Sequence, residues 1–404
     1  MSDEYKSINL CLCCQEKNIP FFDLGNQPLA NNYCAQDIAC AEYPLKLMYC
    51  PNCCHCQLSH AVNPEILFKT YKYVSGTSQT GINFFKDNAQ FIHDYKGITG
   101  GTVLDIASND GTQLDFFKNL GWITYGVDPA TNLFETAKSK GHNIVCDFWN
   151  ENVAKTLPIM NVITAQNVFA HTCDVDEFLQ SCKLIMDNMS SLFIQTSQKN
   201  MIINAEFDTI YHEHISFYNT MSMQKLVERN GLFLNRVIEV PIHGLSYIFE
   251  IGKVKNEKIC NVVEQLKCET EKNFYSPKTY SDFEFKSRQV VSDLRLTLAE
   301  YGSKGYKKIG FGAAAKGQTV LCYGNIHLEY IIDENPLKIG LYSPKLKIPI
   351  VSIDKFVADK HDKFVIVILA WNFSAEIKEK INKYKEKKNV VIIEAYFPSI
   401  VISQ

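Results

Sequence analysis

The stretch from Gly101 to Asp128 constrains the fold more than any other. Gly101-Thr-Val-Leu-Asp105-Ile-Ala-Ser-Asn109-Asp110-Gly111-Thr112-Gln-Leu114 reads as an apolar strand, a tight polar turn and the start of a helix. A second apolar strand, Trp122 to Val127, ends in an acid, Asp128, about twenty residues beyond the turn. Strand, helix and strand in that order call for a parallel sheet covered by helices, because parallel neighbours must be joined by a crossover. Further strands are expected at Asn143–Cys146, Val162–Ala165 and Ser191–Gln195.

Such a sheet binds ligands at the carboxyl ends of its strands. The acid after the second strand suits ribose hydroxyls, and the first loop approaches the ligand closely, so the pattern serves a dinucleotide or S-adenosylmethionine. The loop lacks the G-x-G-x-x-G fingerprint that seats a pyrophosphate. A polar, acidic loop running from Asp105 through Ser108, Asn109, Asp110, Gly111 and Thr112 suits the sulfonium and amino group of S-adenosylmethionine better. Asp147 and Phe148 follow the third strand, where an adenine can be held. Gln166 and Asn167 follow Ala165 at the next strand end, with His171 shortly after, which makes His171 a site candidate.

Another stretch, Phe207-Asp-Thr-Ile-Tyr211-His-Glu213-His214-Ile-Ser-Phe-Tyr218, packs a phenol, two imidazoles and a carboxylate into four positions. Burying so many polar groups is unfavourable unless each is paired. The run suits proton transfer, since histidine titrates near neutrality and a phenol stabilises an oxyanion. The plainer alternative is a polar surface turn. It is not a zinc-protease helix, because His212 and His214 are two apart rather than four.

The cysteines cluster near the N-terminus. Cys11, Cys14, Cys50 and Cys53 form two C-x-x-C frames, enough thiolates for one tetrahedral zinc. Cys13, Cys54, His55 and Cys56 are neighbouring candidates. With no nucleophile partner nearby, the zinc is read as structural, holding about 70 residues with a small core.

Towards the C-terminus, Lys307-Lys-Ile-Gly310-Phe-Gly312-Ala-Ala-Ala-Lys316-Gly317 reads as a strand followed by a small-residue loop that opens a helix. Backbone N–H groups there favour phosphate, and Lys316 adds a charge. Strands are expected at Tyr330–Asp333, Phe364–Leu369 and Val390–Ile393, giving a second open α/β sheet. Helices are expected within Val262–Gly302, and a solvated Lys/Glu-rich helix over Ile377–Lys388.

A chain of 404 residues, 46% hydrophobic and 21% charged, is ordinary for a globular protein of two or three domains. A net charge of -3 gives no basic field for nucleic acid. No apolar run has transmembrane length, and the first residues lack the basic and apolar regions of a signal peptide. The expectation is a cytoplasmic protein with no membrane or nucleic-acid partner, monomeric or a small homo-oligomer.

Together these motifs resemble the nucleotide-sugar C-methyltransferase family, which acts on 4-keto-deoxysugars, over nearly the whole chain. The similarity runs through Phe22-Asp-Leu-Gly25-x-x-Pro28-Leu-Ala-Asn31, Tyr71-Lys-Tyr73-Val-Ser-Gly-Thr-Ser78, the Leu104 to Thr112 loop, Asn167 to His171 and Tyr211 to His214. It continues through Gly310 to Gly317, Ile332-Asp333-x-x-Pro336-x-Lys338-x-Gly340, Ile348-Pro-Ile350 and Leu369-Ala-Trp371-Asn372. After Cys53 the family usually has a Gly-Leu-like pair where this chain has Cys54-His55-Cys56. His243-Gly244-Leu245-Ser246 and Tyr342-Ser-Pro-Lys-Leu346 also depart from the family pattern.

The resemblance implies a Rossmann-like class I methyltransferase sheet with a small N-terminal zinc-binding domain and a second Rossmann-like α/β domain at the C-terminus. The divisions would be 1–70, 71–240 and 241–404. It implies S-adenosylmethionine and structural zinc as cofactors, and a nucleotide-diphosphate sugar as substrate, methylated at C3 through an enolate. His214 would be the base. Tyr211 would donate to the enolate oxygen or serve as the base instead, and Glu213 would orient a hydroxyl or a histidine. His171 would assist proton transfer or bind the ketone, and Tyr71 and Tyr73 would close the pocket. Ser78, Lys316, Asp333, Lys338 and Asn372 would contact substrate. The competing readings are sugar O-methylation, a nicotinamide-dependent oxidoreductase, and a zinc-ribbon binding module without catalysis.

Overall fold

A computed structural model describes residues 4–69, 74–197, 200–242, 244–384 and 388–403. Two compact units emerge, and their segments interleave along the chain. The first comprises Met1–Ile19, Met48–Lys199 and Ile215–Tyr275; the second comprises Pro20–Leu47, Asn200–His214 and Ser276–Gln404.

The first unit is built on a seven-stranded sheet: β1 (Thr102–Ile106), β2 (Ile123–Val127), β3 (Asn143–Val145), β4 (Val162–Gln166), β5 (Ser191–Thr196), β6 (Phe233–Val240) and β7 (Ser246–Gly252). The order is β3-β2-β1-β4-β5-β7-β6. β1 to β5 pair in parallel, while β7 is antiparallel to both β5 and β6. That order, with one reversed strand next to the edge, is the class I methyltransferase sheet expected above. Strands buried on both faces read as continuous apolar runs, as Val103-Leu104 and Leu192-Phe193-Ile194 do. Val103, Val162 and Phe193 face Ala89 and Ile92 of α1 (Gln79–Lys96) and Leu114 and Phe117 of α2 (Thr112–Asn119). Leu104, Ile163, Leu192 and Ile194 point the other way, into a core with Leu179, Met223 and Leu226. The side-chain period of two thus divides one apolar strand between two cores.

In the second unit six strands follow the order β10-β9-β8-β11-β12-β13, where β8 is Lys307–Phe311, β9 Ile331–Ile332, β10 Ile350–Val351, β11 Lys363–Ile368, β12 Asn389–Ala395 and β13 Val401–Ser403. All pairs are parallel except β12–β13. The second open α/β sheet read from the sequence is therefore present. Gly317, on the helix α4 (Ala315–Gly324) that follows β8, has a packing reason: a Cβ there would lie 2.5 Å from Leu369 Cβ. An aromatic cluster anchors residues 200–214 in this unit. Phe207 lies edge-on to Phe22 and Tyr323, and Phe22 meets Phe283 of the long helix α3 (Pro277–Ser303). The helical stretch expected over 262–302 is broken, with Val262–Glu271 ending before Asn273, a residue of positive φ, and α3 starting at Pro277. The Lys/Glu-rich helix spans Ser374–Asn382. Among the described residues, no helix is long and apolar enough to cross a membrane.

Candidate functional site

The two C-x-x-C frames close onto one point. The sulfurs of Cys11, Cys14, Cys50 and Cys53 all lie within 4.8 Å of one another. Cys11–Cys53 and Cys14–Cys50 are 3.5 and 3.4 Å apart. Four thiolates about 2.3 Å from a zinc stand about 3.8 Å from each other, so the set fits that ion. Each frame is a tight knuckle. Gln15 N donates to Cys11 O and Cys54 N to Cys50 O, both at 2.8 Å, and Gln15 and Cys54 take positive φ to do so. Arg229 fastens the first knuckle by donating to the carbonyls of Leu12 and Cys13. Two of the neighbouring candidates turn away from the cluster. Cys54 turns to Tyr49 and the Tyr275 carbonyl, and His55 Nε2 pairs with Ser216.

At the carboxyl end of β1 the loop takes left-handed backbone at alternate positions: Ala107 (φ 61°), Asn109 (φ 54°) and Gly111 (φ 78°). Only one of the three is glycine, so two of these left-handed positions are held by residues with a Cβ. Holding a residue with a Cβ there costs roughly 1 kcal/mol. Several contacts hold the loop down. Asn109 N donates to Asp128 Oδ2 and Ala130 N to Asp128 Oδ1, both at 2.8 Å. Asp110 accepts from the Thr112 hydroxyl at 2.7 Å. Ser75 N donates to Asn109 Oδ1, bringing Gly76 so near that a Cβ would lie 2.5 Å from Asp110 Oδ2.

Asp105 is buried and accepts from Thr164 and Gln113, yet burial pushes its carboxyl up to about 7. Burial also raises Asp128, against its two backbone amides. Around these acids the Ser108 hydroxyl, both polar atoms of Gln166, Asn167 Oδ1, Gln195 Nε2 and Thr196 Oγ1 are buried without a hydrogen-bond partner among the described residues. Each such atom costs about 1–3 kcal/mol until something polar meets it. They gather at the carboxyl ends of β1, β4 and β5 and just beyond. Two buried acids wanting a cation, beside several unmet donors and acceptors, suit S-adenosylmethionine. Gln195 and Thr196 carried no signal in the sequence, because an amide and a hydroxyl closing an apolar strand are commonplace.

Other expected positions in this unit divide. Asp147 is exposed and accepts from Phe148 N in its own turn. Ser78 uses its hydroxyl to cap α1, accepting from Gly81 N. The His171 ring stacks on Phe68 at 5.5 Å, and burial pulls it down to about 4, so it is neutral near pH 7. Tyr71 and Tyr73 lie outside the described residues.

In the second unit, the run at 207–214 is a buried turn rather than a surface one. Its start, Phe207–Thr209, is one turn of 3-10 helix, and His212, Glu213 and His214 are all buried. His214 Nδ1 lies 2.7 Å from the Thr209 carbonyl, which can only accept, so Nδ1 carries the proton. Nε2 is then the basic nitrogen, and the Tyr211 hydroxyl donates to it at 2.8 Å. Glu213 accepts from Asn31 Nδ2 at 2.6 Å. His212 faces away from this pair, with Nε2 3.2 Å from the Tyr43 carbonyl, and burial pulls it down to about 4. Asp208 accepts from Trp371 Nε1 at 2.6 Å. Burial pushes its carboxyl up to about 6, against the pull of Lys316 and Trp371. Lys316 Nζ rests 4.6 Å from the Trp371 ring centre.

Asp333 accepts from Ala313 N and Asn335 N, Lys338 donates to Ala313 O, and Asn372 lies beside Trp371 in a 3-10 turn. The Tyr33 hydroxyl also donates to Ala313 O. Thr209 and Tyr33 were missed in the sequence. The first acts through a backbone carbonyl, and the second lies far along the chain from the loop it meets.

Family models tile most of the chain. "Putative zinc binding domain" matches residues 11–68, "Methyltransferase domain" residues 81–235, and "C-methyltransferase C-terminal domain" residues 241–395. C-methyltransferase NovU of Streptomyces niveus is 26% identical over all of this chain and 99% of its own length. The mitochondrial ubiquinone biosynthesis O-methyltransferase of Homo sapiens is 25% identical over 35% of this chain and 44% of its own length.

Proposed function

We propose, for a chain that belongs to the S-adenosylmethionine-dependent C-methyltransferases with a zinc-binding domain, that the acceptor is a nucleotide-diphosphate-linked 4-keto-deoxysugar methylated at C3. The observation that carries this reading is the Thr209–His214–Tyr211 relay. Methylating carbon next to a ketone needs a base that removes a C–H proton, and methylating an oxygen does not need an enolate to be held. A histidine with a fixed tautomer, its basic nitrogen already bound to a phenol, suits that task.

Bound S-adenosylmethionine supplies a methyl group activated by its positive sulfur. The chain's own residues do the rest. Because the Tyr211 hydroxyl covers His214 Nε2, a proton from C3 reaches the imidazole through the phenol oxygen: Tyr211 takes it as its own proton passes to His214. The phenol then stands ready to donate to the enolate oxygen. Glu213, held by Asn31, orients a sugar hydroxyl. Lys316 and Lys338, with Asp333 fixing the loop after β8, bind the diphosphate-linked end. In the first unit Asp105, Asp110 and Asp128 hold the donor's cationic and ribose groups, with Gln166 and Asn167 beside them. In sequence order, 1–70 then contributes the zinc cysteines, 71–240 most of the donor-binding unit together with the 200–214 relay segment of the second unit, and 241–404 most of the sugar-nucleotide unit. A four-thiolate zinc site fits a reducing, cytoplasmic location.

The test is mass spectrometry of 4-keto-6-deoxysugar nucleotides incubated with the protein in deuterium oxide. The expected result is deuterium uptake at C3 without donor, and a C3-methylated product with it. Both Tyr211→Phe and His214→Ala should suppress the exchange. Methylation of an oxygen, with no exchange at carbon, would overturn the reading.

A further inference from the structure

Apart from the zinc cluster, the described cysteines include one more close pair. Cys34 and Cys40, six positions apart in the loop between the strands Ile19–Pro28 and Glu42–Tyr49, have sulfurs 3.2 Å from each other. Lys347 reaches both. Its Nζ is 3.0 Å from Cys34 Sγ and 3.6 Å from Cys40 Sγ, and it also donates to the Ile38 carbonyl. An ammonium has three protons. Here each has an acceptor, and two of the three are thiol sulfurs. Lys347 itself sits in left-handed backbone (φ 54°), an arrangement that a residue with a side chain adopts only when its surroundings impose it. The loop's backbone is tied at Cys34, which exchanges hydrogen bonds with Tyr342.

We propose that Cys34 and Cys40 form a peroxide-oxidised dithiol site, with Lys347 activating Cys34, that governs the loop carrying Asn31 and Tyr33. An adjacent ammonium favours thiolate, the reactive form of cysteine. Cys34 is the sulfur nearer the ammonium, while burial and the Cys34 thiol push Cys40 up. The Cys34 thiolate attacks one oxygen of hydrogen peroxide, the O–O bond breaks, and hydroxide leaves, giving a sulfenic acid. The Cys40 sulfur then attacks the Cys34 sulfur, the S–O bond breaks, and water leaves. In sum two thiols and one peroxide give a disulfide and two waters. The sulfurs need to close by about 1.1 Å to reach disulfide length.

The site sits where it matters for the second unit. Asn31 donates to Glu213, and Tyr33 donates to the Ala313 carbonyl while Lys338 lies 5.1 Å from its ring centre. A covalent clamp from 34 to 40 changes the freedom of the residues just before it. Its effect on turnover rests on the function proposed above; its formation does not.

Two readouts keep these apart. Zinc-loaded full-length protein is treated with one equivalent of hydrogen peroxide, quenched with N-ethylmaleimide and mapped by peptide mass spectrometry. The expected result is a Cys34–Cys40 link, reversed by dithiothreitol, that forms before the exposed Cys146 is oxidised. Lys347→Met should slow it about tenfold, and Cys40→Ser should leave a dimedone-reactive sulfenic acid at Cys34. Both cysteines staying reduced, Cys146 oxidising first, or an unchanged rate in Lys347→Met would overturn the site. In the second readout the linked protein should lose methyl-transfer activity and regain it on reduction, while Cys40→Ser keeps its activity after peroxide. A link that forms with turnover unchanged would overturn control of the loop while leaving the chemistry of the site and the function proposed above standing.

Discussion

Replacing Asp105 by asparagine should make the ligand-free protein more stable and the donor-bound protein weaker. In the folded chain burial holds this carboxyl near 7, while in the unfolded chain it titrates near 3.9. The folded state therefore keeps a proton that the unfolded state gives up. The sign follows: this group destabilises folding least below pH ~4, progressively more as pH rises from ~4 to ~7, and by a constant amount above that. About three pKa units at 1.36 kcal/mol each come to about 4 kcal/mol at pH 8, shrinking to about 1 kcal/mol at pH 4.5. Asparagine is nearly isosteric and its carbonyl oxygen still accepts from Thr164 and Gln113, so it removes the charge and little else.

Thermal unfolding of Asp105→Asn and of the parent, each without donor, should differ by about 2–4 kcal/mol at pH 8. That is a rise in Tm of several degrees for a unit of this size, most of it gone at pH 4.5. The affinity for S-adenosylmethionine, read by calorimetry, should fall about 10- to 100-fold, because a charge-assisted contact is worth about 1.5–3 kcal/mol. A variant destabilised equally at both pH values would refute the argument, since it would mean that the carboxylate is already compensated in the empty site.

Cys50→Ser should bind less than one zinc per chain by elemental analysis and lose several kcal/mol of stability, because the metal contributes directly to folding; full zinc content would reassign the ligand set. His214→Ala should lower kcat by 10²–10⁴-fold with donor affinity unchanged, the usual range for a positioned base; near-full turnover would eliminate the relay. Gly76→Val should weaken S-adenosylmethionine binding at least tenfold while leaving zinc content alone, since a Cβ at 76 collides with Asp110 and Thr112. Unchanged affinity would show that the Gly76 segment moves freely from the donor loop.

Much of this was legible in the sequence, where the period of the pattern was unambiguous. β1, β2, β4, β5, β8 and β11 announce themselves as buried apolar runs, and the four zinc-site cysteines by their frame. The loop after β1 is legible as polar and acidic, but its left-handed backbone at Ala107 and Asn109 was hidden, because residue type reports conformation only on average. The 207–218 run stands out in the sequence, yet its histidines cannot be told apart there. Only coordinates show His212 bonded to the Tyr43 carbonyl while His214 meets Tyr211. Asn31 and Tyr33 illustrate the remaining gap, since tertiary contacts that span 182 and 280 positions leave no periodic trace. The pair β6 and β7 alternates only weakly and escaped notice.

The interleaving of the two units has a consequence for how such a chain is made and how it can change. Five times the polypeptide leaves one unit for the other, at 19/20, 47/48, 199/200, 214/215 and 275/276. The fifteen residues from Asn200 to His214, which carry Tyr211 and His214, are a single excursion out of the first unit. On the ribosome the first unit cannot finish until residue 275 has emerged, and the second must wait for the last strand with its early segments already exposed. Neither unit can be cut out as one continuous piece of gene. A new acceptor specificity cannot arrive here by fusing a foreign domain to an unchanged methyltransferase; it has to come from substitutions within a chain whose two halves are inherited together.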